Sequence, residues 1–213
     1  MPDYVELGRD PFSAHQLLLG LAAGASSVLD VGCSAGTLSR VLAERGAVVD
    51  GIELDPVAAR EAERFCRQVL VGDLETVELP PEHYDLILCG DIIEHLRDPV
   101  AALAKLRPHL KPGGRLVASV PNVANWSQRL LLLAGRWDYH DRGLLDRTHL
   151  RFFTLRTFRK TLAEAGYRIE RMEVTVPLPV LRRRPFNAWA HALGLLWKNL
   201  LAYQFIAVAR PPS

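Results

Sequence analysis

Acidic side chains recur in this sequence at the ends of apolar runs that have the length of buried strands. Asp30 lies in the first run, just before a glycine-containing turn, and Glu53 ends the second run. Asp73 and Asp91 each follow a later run by two residues. Ligands of an open parallel sheet bind beyond the carboxyl ends of its strands, so these four acids are predicted to share one site.

The chemistry expected of these acids is that of a nucleoside ligand with a positive charge. Asp30 would repel a phosphate but attract a cationic amine or sulfonium. Glu53 lies 21 residues after Gly32, the distance at which an acid meets ribose hydroxyls in nucleotide-binding units. Asp73 is placed to accept a hydrogen bond from an adenine amino group. The turn over residues 32–36 lacks G-x-G-x-x-G spacing, which argues against a nicotinamide dehydrogenase.

A second group, Asp91, Glu94 and His95, follows the fourth apolar run. If a helix begins at Asp91, these residues are spaced i, i+3 and i+4 and share one face. His95 is suited to proton removal near neutral pH. The same three side chains could hold Mg²⁺ or Mn²⁺, or they could only cap a helix and brace a loop. We favour the base and leave the other two interpretations open.

Alternating strand and helix patterns indicate the scaffold that positions these side chains. Apolar runs predict strands over 28–31, 48–53, 69–71, 84–89 and 115–120, with a turn over 111–114 before the last. Helical spacing predicts helices over 37–44, 56–66 and 98–110 between them. Later residues add helices over 126–134, 154–166 and 186–201 and strands over 167–176 and 202–209. The pattern predicts an α/β fold, with a doubly wound, seven-stranded, mostly parallel sheet and helices on both faces.

Composition excludes several classes of protein. The 213 residues are 49% hydrophobic and 23% charged, which excludes wholesale disorder and collagen-like sequence. Three widely spaced cysteines do not indicate a disulfide framework and predict a reducing, cytoplasmic setting. No apolar stretch reaches the ~20 residues of a membrane span, and the run over 17–25 lacks the basic flank of a signal peptide.

The formal net charge of +2 hides a division of the chain. Residues 1–120 carry 11 basic and 18 acidic side chains, a net −7, whereas residues 121–213 carry 15 and 6, a net +9. The two halves are therefore predicted to face different chemistry. The basic half favours an anionic acceptor, whereas its scattered arginines argue against nucleic acid.

The motifs in this order resemble the class I S-adenosylmethionine-dependent methyltransferases over residues 25–120. The resemblance rests on the segments 28–36, 51–55, 72–73, 84–89 and 110–116. It implies S-adenosylmethionine as cofactor, with Asp30, Gly32 and Gly36 at its methionine end, Glu53 at the ribose, and Asp73 and Leu74 at the adenine. The full set of residues expected at the cofactor is Asp30, Gly32, Cys33, Ser34, Gly36, Glu53, Leu54, Asp73, Leu74, Cys89, Gly90 and Asp91. Ser34 departs from the family, which usually has glycine there, and a positive φ at this position would strain it.

The acidic and histidine residues after the fourth strand also carry a resemblance. They are similar to the D/E-x-x-E-H motif of quinone-biosynthesis O-methyltransferases and of plant-type small-RNA 2′-O-methyltransferases. In the latter a further histidine joins a metal, and His149 lies 54 residues after His95. We expect His95 to be the leading catalytic residue, assisted by Asp91 or His149. A divalent metal is the less favoured alternative.

The remaining segments are expected to form an acceptor lid, over 121–154 and 177–201, on a single domain of residues 1–213. Their aromatic and polar composition resembles bacterial methyltransferases of glycan assembly and predicts O-methylation of a sugar hydroxyl. The alternatives are a quinone or phenolic acceptor and a catalytically silent cofactor-binding partner. Trp189, Leu193 and Trp197 lie at helical spacing, for which a core-packed or lid helix is favoured over peripheral membrane contact. The sequence leaves the oligomeric state open.

Overall fold

A single seven-stranded sheet organises the chain. The computed structural model describes residues 10–79, 81, 83–177 and 184–212, with only the backbone of 184–186. The strands are β1 (Ser27–Val31), β2 (Val48–Glu53), β3 (Gln68–Val71), β4 (Tyr84–Gly90), β5 (Leu110–Pro121), β6 (Arg168–Thr175) and β7 (Gln204–Arg210). Their order is β3-β2-β1-β4-β5-β7-β6. The first five are parallel, and β7 is antiparallel to both β5 and β6. The predicted mostly parallel sheet is confirmed.

Helices cover both faces of this sheet. They are α1 (Ala14–Leu21), α2 (Thr37–Glu44), α3 (Pro56–Ala62), α4 (Pro99–Leu106), α5 (Trp126–Leu133), α6 (Leu155–Glu164), α7 (Arg184–Leu196) and α8 (Lys198–Leu201). Neighbouring strand residues point to opposite cores: Leu86 packs with Leu18 of α1, whereas Ile87 packs with Leu103 of α4. Strands buried on both faces explain why the sequence shows continuous apolar runs rather than alternation.

Capping residues fix where the helices begin. Asp55 and Asp98 accept hydrogen bonds from backbone N–H groups of the first turns of α3 and α4, and a proline occupies the next position in each. Thr154 forms a capping box with Thr157 at the start of α6. These caps confirm the predicted starting points of the three helices.

Four local predictions were wrong. The α3 helix ends at Ala62 rather than at residue 66, and α4 ends at Leu106, after which a 3₁₀ turn (Arg107–His109) leads into β5. Residues 111–114, predicted as a turn, belong to β5. No α-helix begins at Asp91, since only a 3₁₀ turn (Ile93–His95) forms there. Asp91 has φ = +52°, so it cannot share a helical face with Glu94 and His95.

All three cysteines are free and buried. Within the described residues, no helix is long and apolar enough to cross a membrane. The run Arg182–Arg184 lies outside the side chains that the structure describes.

Candidate active site

A cleft of about 180 Å³ opens at the carboxyl ends of β1, β2 and β3. It is lined by Val31, Gly32, Ile52, Glu53, Leu54, Gly72, Asp73, Leu74, Glu75, Ile92, His95, Leu96, Arg97 and Leu150. The structure therefore brings together five of the predicted cofactor residues, Gly32, Glu53, Leu54, Asp73 and Leu74, and places His95 in the same wall. This is the edge of the sheet at which ligands bind in doubly wound folds.

The loop after β1 approaches the cleft through residues with left-handed backbone. Gly32 and Gly36 have φ of +70° and +80°. A Cβ at Gly32 would lie 2.8 Å from Cδ1 of Ile92, so only glycine leaves this part of the cleft open. Ser34 has φ = +48°, the strained conformation foreseen for a non-glycine residue there.

Glu53 links this loop to the end of β2. One carboxylate oxygen accepts a hydrogen bond from the Ser34 backbone N–H (2.7 Å), and the other accepts from the Asp55 backbone N–H (2.9 Å). Each oxygen can accept a second bond, so the carboxylate can still bind a diol. The hydrogen bond from the Ser34 N–H to Glu53 also stabilises the left-handed backbone of Ser34.

Asp73 is held at the opposite wall of the cleft. Its Oδ1 accepts a hydrogen bond from the Glu75 backbone N–H (2.9 Å), and its Oδ2 lies 3.7 Å from the Arg97 guanidinium. Glu75 in turn accepts hydrogen bonds from the backbone N–H groups of Arg97 and Asp98. This network fixes the loop after β3 against the segment that carries His95.

Asp30 lies behind the loop rather than in the cleft. Its side chain is buried and accepts a 2.6 Å hydrogen bond from the Ser39 hydroxyl at the start of α2. Burial raises the pKa of Asp30 to about 6, against an ordinary value of 3.8, and the Ser39 bond offsets this only in part. Asp30 could therefore affect a bound sulfonium only indirectly, by holding the loop over residues 32–36 that follows β1.

Three other expected cofactor residues do not present side chains to the cleft. The thiols of Cys33 and Cys89 pack in the two cores on opposite faces of the sheet. Burial raises the pKa of Cys89, which makes that thiol chemically inert. Gly90 ends β4 against Leu18, which would lie 3.2 Å from a Cβ there.

Asp91 is oriented by two strands that follow it in the chain. Its carboxylate accepts hydrogen bonds from the Ser119 hydroxyl of β5 (2.7 Å) and from the Gln204 amide of β7 (2.7 Å). Burial raises the pKa of Asp91 despite these bonds. Ser119 and Gln204 could not be predicted from the residues near Asp91, since both reach it through the pairing of distant strands.

Glu94, His95 and His149 form a compact cluster beside the cleft. One ligand atom of each lies within 4.8 Å of the others, and the two imidazole rings meet edge to face at 4.9 Å. The backbone carbonyl of Glu94 accepts hydrogen bonds from the N–H groups of Leu150 and Arg151, which holds His149 in place. The predicted association of His95 with a histidine 54 residues later is therefore present in the structure.

The protonation chemistry of this cluster is unusual. Burial, together with the nearby Asp91 carboxylate, holds the pKa of Glu94 well above its ordinary range. Neither Glu94 oxygen has a hydrogen-bond partner among the described residues, and Nε2 of His149 lies 4.0 Å from its Oε1. Burial, followed by the effect of His95, lowers the pKa of His149. A buried carboxyl without a partner must be neutral or must face a bound cation.

The imidazole of His95 has one hydrogen bond to the described residues. Its Nδ1 lies 3.2 Å from the backbone carbonyl oxygen of Thr148. A carbonyl can only accept, so Nδ1 carries the proton and Nε2 is the basic nitrogen of the neutral ring. The Thr148 segment is itself held by Asp146, whose Oδ1 accepts from both the backbone N–H and the hydroxyl of Thr148.

Aromatic side chains extend from His149 toward solvent. Phe152 contacts His149 at 6.2 Å, Trp137 at 5.3 Å and Tyr139 at 6.4 Å between ring centroids. This group can bind a planar or cyclic molecule by stacking. The sequence showed the composition of this segment but not which rings would meet.

Comparison with known proteins identifies the relatives of this chain. A family model described as a methyltransferase domain matches residues 6–171. Ubiquinone biosynthesis O-methyltransferases are 34% identical over 114 residues in Coxiella burnetii and 36% identical over 104 residues in Pseudomonas syringae pv. tomato. The matches cover 51% and 45% of this chain and 48% and 44% of the relatives, so they span about half the length of those proteins.

Solved structures share the fold. An S-adenosylmethionine-dependent methyltransferase from Thermotoga maritima gives a TM-score of 0.67 at 17% identity, over 95% of this chain and 90% of that one. Magnesium protoporphyrin IX methyltransferase from Synechocystis PCC 6803, determined with bound S-adenosylhomocysteine, gives 0.64 at 19% identity, over 93% and 83%. At these identities the likeness establishes the architecture.

Proposed function

The chain belongs to the class I S-adenosylmethionine-dependent methyltransferases, and on this premise we propose that it methylates a phenolic or quinol hydroxyl. S-adenosylmethionine is the cofactor, and when bound it supplies a methyl group already activated by the sulfonium. The chain must then align the acceptor and remove its proton.

We assign the cofactor to the cleft at the ends of β1, β2 and β3. Gly32 fits this role because any Cβ there would close the cleft against Ile92. Glu53 would bind the ribose hydroxyls and Asp73 the adenine amino group, since both carboxylates line the cleft and retain free lone pairs. Residues 25–120 would thus bind the cofactor. The expected lid, 121–154 and 177–201, would cover the acceptor through its described part, since residues 178–183 lie outside the described structure.

The observation that carries the catalytic proposal is the orientation of His95. Its Nδ1 is committed to the Thr148 carbonyl, which leaves Nε2 to accept a proton from an acceptor bound beside the cofactor cleft, whose wall includes His95. His149 and Asp91 would position the acceptor and this ring without themselves being the base. General-base catalysis of this kind contributes roughly 10²–10⁴ in rate.

The acidity of the acceptor favours a phenol. A phenolic hydroxyl has a pKa of about 10, within reach of an imidazole, whereas an alcohol, like water, is a far weaker acid. The names of the ubiquinone-biosynthesis relatives support the same class. The aromatic group at Trp137, Tyr139 and Phe152 would stack on the ring of such an acceptor.

An anionic glycan is less well supported by the charges near the site. Arg136 is paired with Asp138 and Arg147 with Asp141, at 2.8 Å in both cases. The positive charges of these two arginines are therefore partly neutralised by aspartates of the lid itself, which leaves less charge to attract an anionic acceptor.

A sugar hydroxyl remains the second candidate because of Glu94. Its buried carboxyl, which has no hydrogen-bond partner among the described residues, forms with His95 and His149 a suitable donor set for a divalent cation. Such a cation would acidify an alcohol that histidine alone cannot deprotonate. The two candidates thus differ in metal dependence as well as in acceptor.

Transfer of radiolabelled methyl to a panel of acceptors tests the proposal. Catechols and dihydroxybenzoates represent phenols, and nucleotide sugars represent glycans, each assayed before and after treatment with EDTA. We expect labelling of phenols that survives EDTA. Labelling of sugars alone, lost with EDTA and restored by Mg²⁺ or Mn²⁺, would favour the second candidate. Tight binding of S-adenosylhomocysteine with no labelling of any acceptor would support a catalytically silent binding protein instead.

A further inference from the structure

The outer face of α7 carries a stripe of large apolar side chains in solvent. Trp189, Leu193, Leu196 and Trp197 are spaced i, i+4, i+7 and i+8, so they lie on one side of the helix. Trp189 is 72% exposed, Leu196 77% and Trp197 67%. The expected core packing of this stripe is therefore wrong.

The opposite side of α7 provides its contact with the rest of the protein. A Cβ at Gly194 would collide with Val176, so the helix backbone packs closely on the β6 side of the sheet. His191 lies 3.2 Å from the buried Glu173 of β6 and stacks on Phe12. Because this inner face is the packed one, the outer stripe stays largely exposed to solvent.

A second stripe lies on α5, where Trp126, Leu130 and Leu133 follow the same spacing and are all exposed. Hydrogen bonds join the two helical regions: Asn125 Nδ2 donates to the Ala202 carbonyl (2.9 Å), and Arg129 donates to the Asn199 carbonyl (3.3 Å). A groove of about 500 Å³ runs between them, lined by Arg129, Leu155, Leu195, Leu196, Trp197, Lys198, Asn199 and Leu200. We call these two stripes and the groove the α5/α7 face.

The charge around this face indicates what could cover it. Among the described residues, the groove is lined by two cationic side chains, Arg129 and Lys198, and by no acidic one. Exposed tryptophans and leucines beside these two cationic side chains match the chemistry of an anionic lipid surface. We propose that the α5/α7 face docks on a bilayer that contains anionic lipid.

The face also adjoins the acceptor side of the molecule. Gln204, three residues after the end of α8, donates a hydrogen bond to Asp91, and α5 follows the carboxyl end of β5. A docked protein would therefore take its acceptor from the membrane surface. That consequence rests on the proposed function, whereas docking itself does not.

Vesicle flotation tests docking without cofactor or acceptor, so its result is independent of the proposed activity. The full chain would be mixed with vesicles of phosphatidylcholine containing one third phosphatidylglycerol. We compare the double variant Trp189→Ser/Leu196→Ser with the control Val48→Ser/Val57→Ser. The control removes exposed apolar side chains of β2 and α3, outside the α5/α7 face. Equal thermal midpoints would establish that both variants fold.

We expect wild type and control to float and the Trp189→Ser/Leu196→Ser variant to bind at least about tenfold more weakly. Wild-type tryptophan fluorescence should shift to the blue on binding, since three of the four tryptophans lie on this face. High salt should weaken binding. Failure of the wild type to float, or equal flotation of all three proteins, would overturn the proposal. So would a wild-type dimer in sedimentation that this variant abolishes, with no vesicle binding, because the face would then bind a second copy.

Discussion

Replacing Asp30 by Asn should change how the stability of the protein depends on pH. Asp30 is buried, and its pKa is about 6 in the folded protein against an ordinary value of 3.8. The folded state thus favours the protonated acid, and the stability contributed by protonated Asp30 is lost as pH rises from about 4 through 6. Asn is neutral at every pH and can still accept the hydrogen bond from Ser39.

The magnitude follows from the two pKa values. Each unit of difference between folded and unfolded states corresponds to about 1.4 kcal/mol, so ionised Asp30 costs about 3 kcal/mol above pH 7. Between pH 4.5 and 7.5, the free energy of unfolding of Asp30→Asn should rise by about 2 kcal/mol relative to the wild type. Any pH-independent loss of stability caused by the Asn side chain cancels, because the prediction concerns the change between the two pH values.

Urea unfolding at several pH values measures this difference directly. Ser39→Ala serves as the partner variant, because loss of its hydrogen bond should raise the pKa of Asp30 further and steepen the wild-type trend. Parallel stability curves for the wild type and Asp30→Asn would refute the reasoning, since they would mean that Asp30 has the same pKa in both states.

Further predictions concern the backbone of the cofactor loop. Gly32→Ala should cost about 1–3 kcal/mol of unfolding free energy and weaken calorimetric binding of S-adenosylhomocysteine, because its Cβ meets Ile92 at φ = +70°. The matched control Gly46→Ala, at φ = +91° in open space, should lose similar backbone stability and keep its affinity; weakened binding in both would point to general destabilisation. Ser34→Gly should raise the free energy of unfolding by about 1 kcal/mol in thermal or urea unfolding, and a loss would show that the side chain outweighs the strained φ.

The sheet was predictable from the sequence because each strand has a recognisable local pattern of residues. The run 86–89 is continuously apolar and is followed by a glycine and an acid, which is the pattern of a parallel strand buried on both faces. Caps such as Asp98 with Pro99 are equally local, and the structure contains them. Helix ends were less predictable, as at Ala62, because tertiary packing decides whether the last turn continues.

The site was predictable in position but not in detail. Acids at strand ends located the cleft, yet Asp91 could not be placed, because Ser119 and Gln204 that orient it come from β5 and β7. The same long-range pairing gives Asp91 its left-handed backbone in place of a helix start. The exposed face of α7 was also missed, since helical spacing of apolar residues cannot distinguish a core stripe from a surface one.

The proposed role of His95 is tested most directly by separating turnover from cofactor binding. His95→Gln would be assayed for methyl transfer to a phenolic acceptor and, by calorimetry, for binding of S-adenosylhomocysteine. We predict that turnover falls by roughly 10²–10⁴ while affinity for S-adenosylhomocysteine stays nearly unchanged. Turnover close to that of the wild type would contradict the assignment of His95 as the base.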